Sequence, residues 1–363
     1  MAAIALSAAL LITVIGGAWY ATSRVTTVTH VQDCFPLRVV DVNPVAGTVT
    51  IGRGPDATEP GTFRLAWPDG QAVVGAVVSV HPTTITRRLS GLRGQLKVGQ
   101  SVGIEPNAYV GDPASAVGLE YSTVTVPTPL GAMPAWMIPG RRATWVVLVH
   151  GLGGSRSDTL AAMPALHTLG YPILAISYRN DLGVPASSDH RSHIGATEWR
   201  DVQSAVVYAM GHGASGVVLY GYSLGGAMAL LVARDPATRP DVRALILDSP
   251  VLDWLATLDY QARRHELPRA LVAVGEQLLA WRIHLNYSQF DQLSHEAALG
   301  APVLLIQGDA DTVVPPALAT RFARARPSLV TYLFVPGADH VSAIDAAPFG
   351  YRDALAAFLA RYP

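Results

Sequence analysis

The chain has 363 residues, half of them apolar, and a net charge of −1 at neutral pH. That length allows one large core and a smaller accessory region. The near-neutral balance excludes the basic footprint of a nucleic-acid binder, and the scattered acids form no electrostatic funnel for a cationic substrate. A lone cysteine, Cys34, excludes an internal disulfide.

The chain opens on Ala2 to Tyr20, apolar apart from Ser7, Thr13 and glycines. A run of this length matches the ~20 helical residues that cross a hydrocarbon core. Residues 1–22 are therefore expected to be a transmembrane anchor, which makes the membrane a partner and gives a membrane protein with a single N-terminal span. A signal segment cleaved near Gly16, Gly17 and Ala18, releasing a secreted protein, is the alternative, although no basic residue precedes the apolar run. A core helix fits less well, because a helix apolar all round needs burial all round. Arg24 and Arg38 follow the run; by the positive-inside rule they put the bulk of the chain in the cytoplasm, and two charges leave the side open.

Residues 35–107 read as a small β-rich module. LRVVDV, GTVTI, TFRLAW, AVVGAVVSV and QSVGI are rich in Val, Ile and Thr and are separated by turn residues. Pro68-Asp69-Gly70 is a turn in which proline fixes φ and glycine accepts a positive one. No catalytic constellation falls here. The module suits a spacer, or a platform for a partner or substrate.

From Leu119 the rhythm changes. STVTVPTP and AMPAWMIP form an opening hairpin. Then TWVVLVH, PILAISY, GVVLYGY, ALILDSP, PVLLIQGD and TYLFVPG alternate with helical stretches. Near-continuous apolar strands mark a parallel sheet covered on both faces. ATEWRDVQSAVVYAMGH is an amphipathic helix with Thr197 as N-cap. Residues 251–301 interrupt the alternation as a mostly helical cap, which either forms an apolar lid or simply packs on the sheet.

GYSLG, residues 221–225, fits the Gly-x-Ser-x-Gly nucleophile elbow, with Ser223 between a strand and a helix. Gly221 and Gly225 leave room for the close approach of those elements. HGLGG, residues 150–154, follows the strand TWVVLVH; it offers an oxyanion hole from the amides of Leu152 and Leu224, with His150 and Gly151 as supporting residues. The loop GDADTVVP supplies Asp309 and Asp311, and Asp311, deeper in the loop, is the expected acid. Asp248 in LDSP is a third carboxylate, read as structural. His340, after the last strand, is the expected base. Tyr178, Arg179 and Asn180 follow a strand and are candidates for the site mouth. The order Ser223, Asp311, His340 is that of α/β-hydrolases. No metal or organic cofactor is implied.

Residues 119–363 resemble the α/β-hydrolase superfamily: a mostly parallel sheet with helices on both faces. SYRNDLG (177–183), GATEWRD (195–201), GYSLGG and GDADTVVP resemble membrane-associated serine hydrolases of the ABHD type (members 12, 13 and 17), a group with lipid esterases and acyl-thioesterases. The resemblance implies a carboxylesterase or lipase working through an acyl-enzyme on a small-molecule or lipid acyl substrate. An acyl-thioesterase or serine peptidase on the same triad is the alternative, and a non-catalytic scaffold is a third. The β-rich module is too short for the propeller that accompanies prolyl oligopeptidases, which weighs against a peptidase.

Overall fold

The computed structural model describes residues 2–28, 34–54, 57–58, 61–105, 108–109, 111–295 and 298–362. Asn107, the expected end of the β-rich module, lies outside them.

The β-rich module is a closed barrel. Its strands are β1 (Leu37–Asn43), β2 (Thr48–Gly52), β3 (Phe63–Trp67), β4 (Gly70–Val80), β5 (Thr84–Arg93) and β6 (Ser101–Glu105), in the order β1-β2-β5-β4-β3-β6. The Pro68-Asp69-Gly70 turn joins β3 to β4, with Trp67 paired to Gly70. Val49, Ile51, Leu65, Val74, Ile85 and Val102 fill the interior. Strand β5 escapes the sequence pattern because Arg87 and Arg88 interrupt its apolar alternation. Arg87 is fully buried. Its guanidinium donates to the carbonyls of Gly75, Ala57 and Gly61 at 2.8, 3.1 and 2.8 Å and lies 4.9 Å over the Phe63 ring. A buried charge needs such partners.

The remaining strands are β7 (Ser122–Thr128), β8 (Gly131–Ile138), β9 (Thr144–Val149), β10 (Ile173–Ile176), β11 (Gly216–Tyr222), β12 (Val242–Asp248), β13 (Val303–Gly308) and β14 (Val330–Val335). They form one sheet in the order β14-β13-β12-β11-β9-β10-β8-β7. β7 and β8 are the antiparallel hairpin expected from sequence, and β9 to β14 run parallel. The apolar runs divide by strict alternation. Val147, Val149, Leu219, Leu245, Leu247 and Leu305 enter one core; Val146, Leu148, Val218, Tyr220, Ile246 and Leu304 enter the other. Side chains that alternate across a pleat explain why these strands read as unbroken apolar runs when both faces are covered.

The helices are α1 (Ala2–Thr26), α2 (Pro113–Val117), α3 (Met163–Thr168), α4 (Trp199–Gly211), α5 (Leu224–Arg234), α6 (Trp254–Arg264), α7 (Arg269–Ile283), α8 (Pro316–Ala325), α9 (Ala343–Ala346) and α10 (Pro348–Leu359). α4, α5 and α8 cover the first core, and α3 and α10 the second. α4 starts one residue later than sequence suggests. Glu198, not Thr197, stands at its N-cap, and its carboxylate accepts from the backbone amides of His193, Gly195 and Thr197. α6 and α7 fall within residues 251–301.

The expected membrane span is corrected. Among the described residues no helix is long and apolar enough to cross a membrane. The single-span membrane localisation, and the membrane as partner, lapse with it. What the apolar count overlooked is docking. α1 packs on α7, with Gly17 facing Leu271: a Cβ there would sit at ordinary contact distance, 3.4 Å, from Leu271 Cδ1. Arg282 of α7 donates from Nη1 to Trp19 O, Thr22 Oγ1 and Ser23 Oγ at 3.1, 2.7 and 2.9 Å, and stacks 4.1 Å over the Trp19 ring. Thr22 and Thr26 are buried in this contact region. Ser192 N–H donates to Thr26 O at 2.9 Å, and Thr27 bridges to Arg191.

Candidate active site

Ser223 stands at the junction of β11 and α5 with φ 52° and ψ −114°. A non-glycine residue there carries strain of order 1–3 kcal/mol and persists only where its surroundings hold it. They do so through the backbone. Ser223 N–H donates to Asp248 O at 2.9 Å, and Ser223 O accepts from Gly226 N–H at 3.0 Å and Val251 N–H at 3.2 Å.

The flanking glycines are required by space. A Cβ on Gly221 would lie 2.4 Å from the Gly225 backbone; one on Gly225 would lie 2.2 Å from Val149 O and 2.6 Å from His150 O. These obstacles are main chain, which cannot rotate away. Gly225→Ala is therefore expected to cost more than about 4 kcal/mol, read as loss of a cooperative unfolding transition. A melting temperature close to the wild-type value overturns the account.

Two loops at the same carboxyl edge of the sheet as this elbow meet each other. Asp311 is buried, and its Oδ2 lies 2.9 Å from His340 Nδ1. The other lone pairs of Asp311 are taken. Oδ1 accepts from Val313 N–H and Val314 N–H at 2.8 Å each, and Oδ2 accepts from Gln307 Nε2 at 2.8 Å. A carboxylate that accepts from three donors has one direction left, and the imidazole occupies it. With Nδ1–H given to Asp311, Nε2 is the free basic nitrogen. Asp309 is exposed and turned elsewhere; its Oδ1 accepts from Gly337 N–H at 2.6 Å.

Sequence reasoning passed over Asp339. It accepts from Thr312 N–H at 2.7 Å and from its hydroxyl, and from His340 N–H at 2.7 Å. Asp339 thus ties the acid loop to the histidine loop. α6 contributes too. Tyr260 Oη–H donates to Asp311 O at 2.7 Å, and Gln261 Nε2 donates to Thr312 O and Val313 O at 2.7 Å each. Only its position just before the histidine marked Asp339, and nothing marked Tyr260.

The HGLGG loop sits against the elbow: a Cβ on Gly151 would be 3.3 Å from Ser223 Cβ and 3.9 Å from its Oγ. Leu224 opens α5, so its N–H is among the first-turn donors an α-helix leaves without internal partners. Leu152 is exposed at the loop tip. His150 is fully buried, with Nε2 2.9 Å from Asp181 Oδ2 and Nδ1 2.9 Å from Gly151 O. Burial works against its charged form, but the Asp181 carboxylate prevails and raises the His150 pKa. Tyr178 stacks on His150 at 4.2 Å and donates to Gly151 O at 2.7 Å. Tyr178 and Arg179 are buried rather than open at a mouth. Arg179 forks onto Asp201 at 2.8 Å through both Nε and Nη2, and Asn180 Nδ2 donates to Ser187 Oγ and Arg191 O. Cys34 is exposed and free.

Comparison with known proteins agrees with this architecture. Residues 38–105, the barrel, match a domain of unknown function, DUF8805. Residues 163–362, more than half of the chain, match the prolyl oligopeptidase family. An uncharacterized protein of Mycobacterium tuberculosis strain H37Rv is 30% identical over 221 residues, which are 56% of this chain and 66% of that protein. The chain thus spans just under two thirds of that curated relative. An esterase of Pyrococcus furiosus superposes with a TM-score of 0.56 at 20% identity, over 70% of this chain and 95% of the esterase. Thermogutta terrifontis esterase 2, solved phosphoramylated by tabun, gives 0.50 at 19% identity, over 66% of this chain and 94% of that one. At such identities these two superpositions speak for the fold. With a mostly parallel α/β sheet, a serine at its strand–helix elbow and a family match over more than half of its residues, the chain belongs to the prolyl oligopeptidase family.

Proposed function

We propose that the protein hydrolyses acyl esters through an acyl-enzyme on Ser223, with His340 as base and Asp311 as its acid partner. The observation that carries this is the 2.9 Å contact between His340 Nδ1 and a buried, otherwise saturated Asp311, in loops at the same carboxyl edge of the sheet as the strained Ser223. His340 Nε2 takes the Ser223 proton as Oγ attacks the acyl carbonyl, and Asp311 fixes the tautomer and stabilises the imidazolium. The amides of Leu152 and Leu224 receive the oxyanion, each worth ~3 kcal/mol in comparable sites. His340 then protonates the leaving alkoxide, and a water activated by the same nitrogen releases the acid. The chemistry is divided by domain: 119–363 acts, with 251–301 as its cap, and the barrel supports.

Ester rather than amide substrates are favoured by two kinds of support. Solved esterases share the fold, and the sequence motifs resemble the ABHD-type hydrolases. The prolyl oligopeptidase match favours a second reading, a peptidase on the same residues. The test is direct. The wild-type protein, treated with a fluorophosphonate probe, is expected to be labelled once, at Ser223. It is then offered p-nitrophenyl esters of increasing chain length, acyl thioesters and peptide amides. Ester turnover well above the other two supports the proposal. Preferred thioester or amide cleavage replaces it with the corresponding alternative, and no labelling at all overturns the catalytic reading.

A further inference from the structure

Residue Asp248 ends β12 between the elbow and the histidine loop, and its two halves reach both. Its carbonyl accepts the Ser223 N–H at 2.9 Å. Its side chain is fully buried and accepts from Tyr351 Oη–H at 2.7 Å on Oδ2 and from Ser249 Oγ–H at 3.1 Å on Oδ1. The Ser249 hydroxyl then accepts the N–H of Val341, the residue after His340, at 3.0 Å. Tyr351 continues the chain inward to the Tyr220 hydroxyl, on the strand that delivers Ser223.

The backbone around this link is strained at both ends. Ser249 has φ 48° and Val341 has φ 56°. A β-branched residue in the left-handed region is an outlier that its surroundings must hold. The hydroxyl oxygen of Ser249 accepts from the amide of that residue, so this acceptor sets where Val341, and with it His340, can sit. Ser249 is itself fixed by its N–H to Ile306 O at 2.9 Å, on the strand that leads to Asp311.

Building on the triad assigned above, we propose that Asp248 and Ser249 are positioning residues that hold the His340 loop in register with Ser223. Asp248 is not the acid of the triad: its oxygens are taken by Tyr351 and Ser249, whereas Asp311 faces the imidazole. Burial raises the Asp248 pKa to about 6, against which Tyr351 and Ser249 act. The groups facing it are Tyr220, Tyr222, Tyr351, Asp311 and His340. Loss of one well-placed hydrogen bond is worth up to about 1.4 kcal/mol, a tenfold change in rate.

The test uses the full chain and compares Ser249→Ala, Asp248→Asn and the double variant. The readouts are the second-order rate of fluorophosphonate labelling per folded molecule, kcat and KM for a p-nitrophenyl ester, and the melting temperature. Ser249→Ala is expected to lower labelling and kcat about tenfold with KM nearly unchanged. Asp248→Asn moves both in the same direction, and the double variant is no slower than the slower single, because the two act through one chain. A merely structural role lowers the melting temperature and leaves the rate per folded molecule at the wild-type value, which overturns the proposal; so do fully additive losses. Should Ser249→Ala not fold, the rate of Asp248→Asn, which keeps the side-chain volume, decides alone. The two readings fail separately. Wild type labelled away from Ser223 sinks the triad. Wild type labelled at Ser223 with both single variants equally fast sinks only the positioning role.

Discussion

Ser223→Ala is expected to lower ester turnover by roughly six orders of magnitude, as in other serine-triad knockouts, and to abolish fluorophosphonate labelling while leaving the fold intact. Everything that holds the elbow is main chain. The Ser223 amide goes to Asp248 O, and the Ser223 carbonyl receives Gly226 and Val251. Alanine keeps all three. Its backbone preference at φ 52° is no worse than that of serine, so the strain is the same before and after. The melting temperature should therefore stay within a few degrees of wild type. The residual rate over uncatalysed hydrolysis reports what the amides of Leu152 and Leu224 do alone, about a thousandfold by analogy. A variant that still turns over within a hundredfold of wild type moves the nucleophile elsewhere.

The strand–helix elbow of the candidate site was legible because its demands are local. A strained strand–helix turn needs small neighbours, and Gly221 and Gly225 announce that in five residues. The chain order of serine, acid and histidine follows from strand order, which the alternation of apolar runs already gives. The supports were not legible, because they arise from residues distant in sequence. Asp339 looks like any loop carboxylate until it is seen to accept from Thr312 and His340 at once. Asp181 pairs with His150 across 31 residues, and Tyr260 reaches the acid loop from the cap. Arg87 shows the same limit in the barrel: its charge hid strand β5, and only three carbonyls converging on it explain its burial. The N-terminal helix failed for a related reason. Apolar counting measures what a helix wants to leave behind in water, and cannot tell lipid from α7 as the place it goes.

The sharpest discrimination within the site is between two aspartates two residues apart. Asp311→Asn is expected to lower turnover by about four orders of magnitude. Asparagine can keep its carbonyl oxygen toward Val313 N–H and Val314 N–H, which places its NH2 group where Oδ2 was. A donor then faces His340 Nδ1. The imidazole must accept there, its proton moves to Nε2, and no basic nitrogen remains for Ser223. Gln307 meets the same donor, and a flip of its amide turns the otherwise unpartnered Oε1 toward it at the cost of the Nε2 donation to Gly308 O. The fold is therefore expected to survive, and the loss appears in kcat rather than in the melting temperature. Asp309→Asn retains an acceptor for Gly337 N–H at an exposed position, and should change turnover less than about threefold. If Asp309→Asn is the damaging change and Asp311→Asn the mild one, the acid is reassigned and the 2.9 Å contact with His340 is structural.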